Sequence, residues 1–400
     1  MLKMLLWKGL VLAKRIALRT ICTIGNFAFR LERPLDEKAI RKILIIHADN
    51  ASVGDTLLCS AILEPIRKRF PKARISFLAR EPSEAILKHN PNIDELIVYS
   101  KERGANLATS QLIPLFYAKE FKREHGSYDL IITTEHALRF IIFSFLLGAK
   151  QRVGVDTEGR GFLLTKKVKA PYASKRSKHE LEYYLDIARA VGAEIDEPEK
   201  YFKVYTGKDE EKEAERILGK NGIAKNAFMV GIHPGAGLKK NRWKKERFAE
   251  VCTELCREYG TKIIIFGGRG ETELAEETKK LIDGKAVVAT GIGVLVAAAL
   301  LKRCKLVIAN DSGISHLAAA AKTRVLTLFG SDNPVRWAPY GKGNGFIKKE
   351  IPGYAKSGMA EPEMRYAFDN ENEDDPDVAS LDAIKMQEVL TAAKRVLGRK

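Results

Sequence analysis

The sequence predicts an α/β protein made of two Rossmann-like, doubly wound parallel-sheet domains. Three observations predict it. From Lys42 onward, short β-branched runs alternate with longer amphipathic runs, and the alternation occurs twice over, as strands joined by crossover helices do. Runs such as Ile43-Leu44-Ile45-Ile46 and Ile263-Ile264-Ile265-Phe266 are apolar without interruption, which strands buried on both faces require. The chain has 400 residues, 45% of them hydrophobic, too many for one ordinary domain and suited to two.

Residues 1–35 read as a basic amphipathic segment. Leu2, Leu5, Leu6, Leu10, Leu12 and Ile16 recur at helical spacing among Lys3, Lys8, Lys14, Arg15 and Arg19. At roughly 100° per residue, most leucines share one face of a helix and most cations the other. The uncharged apolar runs are too short to span a bilayer, which takes about 20 residues. Charges interrupt the stretch that a cleavable signal peptide keeps apolar. Two readings stand: a helix lying in the plane of an anionic lipid surface, and a helix packed on the domain or docking another subunit.

The first domain, residues 36–200, has expected strands at 43–47, 74–79, 95–98, 129–133 and 152–155, and helices at 56–69 and 179–191. The polar stretch 194–208, with Pro198, marks the seam. The second domain, residues 201–345, has expected strands at 228–233, 262–266, 286–289, 306–309 and 325–329, with helices at 244–259, 294–303 and 314–321. After Tyr340 the periodicity lapses. Residues 346–400 read as a surface loop with an acidic run at 369–377, then a terminal helix over 381–397 that could pack back on the first domain.

Charge narrows the partners. Lysine and arginine number 68 against 51 aspartates and glutamates, a formal net charge of +17. Such a field favours nucleic acid, an acidic membrane surface or a phosphorylated substrate. Nucleic acid is the weakest of these, because the chain lacks a recognisable module and a clustered aromatic-basic face. Cys22, Cys59, Cys252, Cys256 and Cys304 form no Cys-x-x-Cys pair, which argues against a structural zinc site and a disulfide framework.

Ligands of parallel sheets bind at the carboxyl ends of strands, and four strand ends here lead into unusual loops. The first reads His47-Ala48-Asp49-Asn50-Ala51-Ser52-Val53-Gly54-Asp55. Asp55 stands near the helix start, either as an N-cap worth roughly 1 kcal/mol or as a general base facing the interdomain cleft. The second is His233-Pro234-Gly235-Ala236-Gly237, followed by Lys239, Lys240, Arg242 and Trp243. Free backbone N–H groups and nearby cations suit a phosphate, although the spacing is not that of a Walker A loop. The third is Gly267-Gly268-Arg269-Gly270-Glu271, where a base or ribose can lie on bare backbone and Glu271 can take a ribose hydroxyl. Glu271 is otherwise a favourable first-turn acid. The fourth is Asp311-Ser312-Gly313-Ile314-Ser315-His316. Amides at a helix start, with the Ser312 and Ser315 hydroxyls, suit a pyrophosphate. The helix dipole adds typically about 0.3–1 kcal/mol for an anion. Asp311 stands just outside that seat and His316 close to it. An N-cap and a core histidine are the bland alternative, but they leave the clustering of acid, hydroxyls, glycine and histidine unexplained.

Together these segments resemble the heptosyltransferases of glycosyltransferase family 9. The resemblance runs over 43–69, 128–168, His233-Pro234-Gly235-Ala236 with Arg242-Trp243, and 306–317, extended by 329–334 and 336–341. It implies a GT-B fold, two Rossmann-like lobes with the active site in the cleft between them. It implies inverting transfer of a heptose from an ADP-sugar to a lipid-linked glycan such as the lipopolysaccharide inner core, without a metal or other cofactor. It implies Asp55 as the general base, with His233, Gly235, Ala236, Lys240, Arg242, Gly267, Glu271, Asp311, Ser312, Gly313, Ser315 and His316 on the donor side. It implies a cytoplasmic protein, peripheral on the inner face of the cytoplasmic membrane.

Two departures stand out. His47 occupies the place of the family's usual Arg or Lys after the first strand, and the loop from it to Asp55 is longer. Asn241 stands where the family commonly carries a donor-phosphate lysine, so Lys240 or Arg242 is expected to substitute. The rival readings are a glycosyltransferase using another nucleotide-sugar for a different surface polysaccharide, and a non-catalytic sugar-nucleotide-binding subunit of a membrane assembly.

Overall fold

A computed structural model describes residues 17–29, 31–49, 52–99, 113–170, 177–330, 332–349 and 380–398. The acidic run at 369–377 and the first 16 residues lie outside them. Helix α1 covers residues 17–28. The first lobe continues with β1 (Lys42–His47), α2 (Val53–Ser60), α3 (Leu63–Arg69), β2 (Arg74–Arg80), β3 (Glu95–Tyr99), α4 (Ile113–His125), β4 (Leu130–Thr133), α5 (Leu138–Leu146), β5 (Gln151–Asp156), β6 (Lys166–Lys169) and α6 (Glu180–Ala190). The second lobe comprises α7 (Lys208–Lys220), β7 (Met229–His233), α8 (Lys245–Tyr259), β8 (Lys262–Gly267), α9 (Thr272–Leu281), β9 (Ala286–Thr290), α10 (Val294–Leu301), β10 (Leu306–Asn310), α11 (Gly313–Ala320), β11 (Arg324–Phe329), α12 (Pro334–Trp337), β12 (Gly345–Lys348) and α13 (Met386–Val396).

Each lobe holds a six-stranded sheet, ordered β3-β2-β1-β4-β5-β6 in the first and β12-β11-β10-β7-β8-β9 in the second. Every strand pair is parallel. Read in chain order, both sheets have the doubly wound order 3-2-1-4-5-6. The order reverses between β1 and β4 in one lobe and between β7 and β10 in the other. Adjacent loops part at such a point and leave a crevice above the strand ends. The central strands are fully buried: Ile43, Leu44, Ile45 and Ile46 in one sheet, Leu306, Val307, Ile308 and Ala309 in the other. The architecture is the two-lobed α/β fold expected.

The differences have local causes. β6 and β12 were not expected, because Lys166-Lys167-Val168-Lys169 and Gly345-Phe346-Ile347-Lys348 lack long apolar runs. Both are edge strands, where lysine discourages pairing with another chain. The single helix expected over 56–69 is two, α2 and α3, broken at Ala61 and Ile62. Pro65 lies in the first turn of α3, where its missing N–H is tolerated. The second lobe extends past residue 345 through β12. The terminal helix α13 packs on this lobe, against α8, β10, β11 and β12, rather than on the first. Its apolar residues Val389, Leu390 and Ala393 enter the second-lobe core with Leu255, Ile308 and Leu328.

Helix α1 both packs and remains apolar outside. Leu18 and Cys22 join Ile141, Phe162, Leu163 and Leu164. Gly25 lets the Phe162 ring close in, since a Cβ there would lie 2.5 Å from it. On the outer side Ile21, Ile24 and Phe27 are 52%, 61% and 81% exposed. Among the described residues, no helix is long and apolar enough to cross a membrane.

Candidate functional site

The two switch points face each other. Helix α2 starts just after β1 and helix α11 just after β10, and their first turns meet. A Cβ on Gly313 would lie 3.7 Å from the Gly54 nitrogen, and one on Gly54 would lie 3.2 Å from Cδ2 of His316. Asp55 from the first lobe and Asp311-Ser312-Gly313 from the second therefore border one cleft.

On the first-lobe side, Ser52 is the N-cap of α2, and its hydroxyl accepts the Asp55 N–H at 3.4 Å. Asp55 occupies the third position of the helix and is half-buried. The N-cap alternative for Asp55 is thus overturned: Ser52 does that work. Beneath it, His47 is buried and its Nδ1 donates to Thr134 Oγ1 at 2.8 Å. Arg139 pairs with the Asp49 carboxylate, and Arg80 Nη1 donates to the Asp49 carbonyl at 3.0 Å.

On the second-lobe side, β7 ends in His233 and β8 runs into the loop of Glu271. His233 Nε2 lies 3.1 Å from Glu271 Oε2, and its Nδ1 lies 3.0 Å from Ser312 Oγ. Glu271 also accepts the Gly268 N–H at 2.7 Å, and Arg242 Nη2 stands 3.8 Å from its other oxygen. Burial alone would raise this carboxyl. The His233 contact, the Gly268 N–H and Arg242 outweigh it and hold Glu271 below the usual range. A side chain at Gly235 would displace the Glu271 carboxylate, since a Cβ would lie 2.0 Å from Glu271 Oε1. At Gly267 a Cβ would crowd Thr290 at 3.0 Å and Glu271 at 3.2 Å. Arg242 donates from Nε and Nη2 to the Ala236 carbonyl, at 3.3 and 3.0 Å. Lys240 sits beside it on the turn Lys239–Asn241.

Asn310, the last residue of β10, holds these loops together. Its Nδ2 donates to the Pro234 and Gly235 carbonyls at 2.9 and 3.2 Å, and its Oδ1 accepts the Trp243 N–H at 3.0 Å. The Trp243 indole in turn donates to the Ile384 carbonyl at 3.1 Å, tying the terminal segment to the loop. Ser312 caps α11, and its hydroxyl donates to the Asn310 carbonyl at 3.0 Å.

Two expectations change here. Ser315 is fully buried and its hydroxyl donates to the Ser312 carbonyl at 2.7 Å, so its proton braces the helix start instead of facing a ligand. His316 is buried at the seam between lobes. Burial, reinforced by nearby His179, pushes it down to about 3. It brings no positive charge to an anion at neutral pH.

Sequence reasoning placed Asn310 at the head of the signature segment 310–317 but gave it no role, since an amide is silent in a hydrophobic pattern, and it missed the ties between lobes. Arg336 Nε donates to Glu180 Oε2 at 2.7 Å, His179 Nε2 donates to the Ala338 carbonyl at 2.7 Å, and the Tyr340 hydroxyl donates to Glu182. The 336–341 segment singled out in the sequence is this bridge.

Comparison with known proteins gives three findings. The family description "Glycosyltransferase family 9 (heptosyltransferase)" matches residues 118–367, more than half of the chain. Lipopolysaccharide core heptosyltransferase OpsX of Haemophilus influenzae is 24% identical over 314 residues, which cover 77% of this chain and 84% of that protein. Among solved structures, a family 9 glycosyl transferase from Veillonella parvula superposes with a TM-score of 0.75 at 23% identity, covering 92% of this chain and 99% of that one. The ADP-heptose lipopolysaccharide heptosyltransferase II of E. coli gives a TM-score of 0.67 at 20% identity, covering 89% and 98%.

Proposed function

The chain belongs to glycosyltransferase family 9, the heptosyltransferases, and is a glycosyltransferase; from that premise we propose that it transfers heptose, with inversion, from ADP-heptose to an anionic lipid-linked glycan of the lipopolysaccharide inner core. The observation that carries this reading is the meeting of α2 and α11, which sets Asp55 across the cleft from the Glu271–His233–Ser312 network.

In this reading Asp55 takes the proton of the acceptor hydroxyl. The acceptor oxygen attacks the anomeric carbon from the face opposite the diphosphate. The bond from that carbon to the diphosphate oxygen breaks, and its electron pair leaves with ADP. Charge growing on the diphosphate meets the α11 amides, Arg242 and the Ser312 hydroxyl, which turns from the Asn310 carbonyl toward a phosphate oxygen while its oxygen stays beside His233 Nδ1. Such preorganised donors are usually the largest contribution to rate. The reading requires no metal. Arg80, at the end of β2, and Arg139, in the first turn of α5, suit an anionic acceptor. Asp311 suits the hydroxyls of the donor sugar.

Donor identity is tested by titrating ADP, UDP and GDP and following the melting temperature. ADP is expected to raise it most, because a ligand bound only to the folded state stabilises it; a UDP or GDP preference overturns the ADP-heptose reading and favours another nucleotide-sugar. Arg242→Ala is expected to weaken ADP binding roughly ten- to a hundredfold, since a hydrogen bond to a charged group is worth about 1.5–3 kcal/mol. Lys240→Ala is the paired control. Unchanged affinity in both removes the idea that either replaces the lysine missing at Asn241.

The membrane contact is also part of this proposal. Ile21, Ile24 and Phe27 recur every third residue along one side of α1, and the chain carries +17, a combination that suits the interface of an anionic bilayer. Replacing all three with aspartate is expected to abolish co-sedimentation with phosphatidylglycerol vesicles while leaving the rate on a water-soluble acceptor fragment unchanged. Vesicle binding equal to wild type would refute the contact.

A further inference from the structure

The functional reading leaves one buried acid unused. Glu135 follows β4 at the switch point of the first lobe and is 6% exposed. Its Oε1 accepts the Asp49 N–H at 2.9 Å. The groups that face it come from every neighbouring element. His47 ends β1 and Asp49 follows it, Asp55 and Cys59 come from α2, and Tyr184 comes from α6. Two cations stand at this corner, and both are engaged by Asp49: Arg139 of α5 pairs with its carboxylate and Arg80 of β2 donates to its carbonyl.

His47 is the remaining candidate for a counter-charge, with Nδ1 3.8 Å from Glu135 Oε1. Its hydrogen bonds argue against that role. The Thr134 hydroxyl donates to the Ile46 carbonyl at 3.1 Å, so it receives the His47 Nδ1 proton. Among the described residues, His47 Nε2 is buried with no hydrogen-bond partner. A second proton there would be a buried charged N–H without an acceptor, which is costly. Burial accordingly holds His47 down to about 4, and burial together with Asp55's charge pushes Glu135 up to about 8.

We propose that Glu135 works as a neutral carboxylic acid near Asp55, a positioning residue that adds no second buried negative charge beside the base. It rests on the reading of Asp55 as the base. Ionised Glu135 would set a second negative charge under the seat of an anionic acceptor. Turnover per encounter, kcat/KM for the acceptor, then falls on the alkaline side, chiefly through KM.

The test compares pH profiles of the full chain as wild type and as Glu135→Gln, an amide that stays neutral at every pH. Wild type is expected to lose about tenfold in acceptor kcat/KM for each pH unit above about 8. The variant is expected to keep its value to about pH 9. A wild-type alkaline fall in Glu135→Gln overturns the proposal, as does a folded variant without turnover. Stability gives a readout independent of the chemistry. The folded state holds the Glu135 proton more tightly than the unfolded chain, so wild type loses stability as pH rises from about 4.5 to about 8. The melting temperature of Glu135→Gln should therefore gain on wild type across that window, and a constant difference overturns the proposal too. Asp55→Asn separates the two readings: if it keeps turnover, the base reading fails, whereas an inactive Asp55→Asn with an unaltered Glu135→Gln profile sinks this inference alone.

Discussion

Asp55→Asn is expected to lower kcat by about 10²–10⁴-fold, the usual contribution of a well-placed general base, while ADP binds as before. The amide keeps the shape of the carboxylate and loses its ability to take a proton. The helix survives the change, because Ser52 rather than Asp55 caps α2. Removing a first-turn negative charge costs only about 0.3–1 kcal/mol, so the melting temperature should move little. ADP affinity should hold because the second-lobe network lies across the cleft. Rates of ADP release with and without acceptor measure the first part, and nucleotide titration the second. Turnover within a few-fold of wild type would remove Asp55 from the chemistry. A matching collapse of ADP affinity would make it a structural residue instead.

The second large effect is expected at Asn310. Replacing it with alanine leaves the Pro234 and Gly235 carbonyls without their side-chain donor and the Trp243 N–H without its acceptor, all in a buried place. A buried group left unsatisfied costs about 1–3 kcal/mol, so the sum over the three groups is about 3–9 kcal/mol, against a total of about 5–15 kcal/mol for an ordinary protein. Asn310→Ala should melt well below wild type and bind ADP at least tenfold more weakly, since it frees the loop that holds Arg242 and His233 in register. Asn310→Asp should also fail, because it keeps the acceptor for Trp243 but turns a carboxylate oxygen toward two carbonyls. Thermal melts followed by circular dichroism, with ADP titration of the folded fraction, decide the matter; wild-type melting and affinity in Asn310→Ala would refute the clamp.

Most of the fold was legible because its central strands are buried on both faces. Ile43 to Ile46 and Ile263 to Phe266 carry that requirement in their composition. β6 and β12 were illegible for the opposite reason. An edge strand is paired on one side and needs few apolar residues, and here it carries lysines. The candidate site divides in the same way. Glycines and charged residues after strands point to ligand loops, and His233, Gly235, Glu271, Arg242 and Ser312 do come together. What those side chains do to one another was not legible. Ser315 and His316 lie on the inner side of α11, a fact of helix orientation that the motif leaves open. Asn310 and Glu135 act through backbone groups and burial, and both arise only once the sheets are assembled.

Gly54 acts, where α2 meets α11, as a gauge block of minimal thickness. A side chain at Gly54 would press on His316, the near wall at 3.2 Å, whereas Gly313 has ordinary van der Waals room for one. Loops farther out can lengthen to admit larger acceptors without disturbing this dimension. A single methyl group at Gly54 would ask His316 to give by a few tenths of an ångström, so the spacing between the lobes is most sensitive at that one residue.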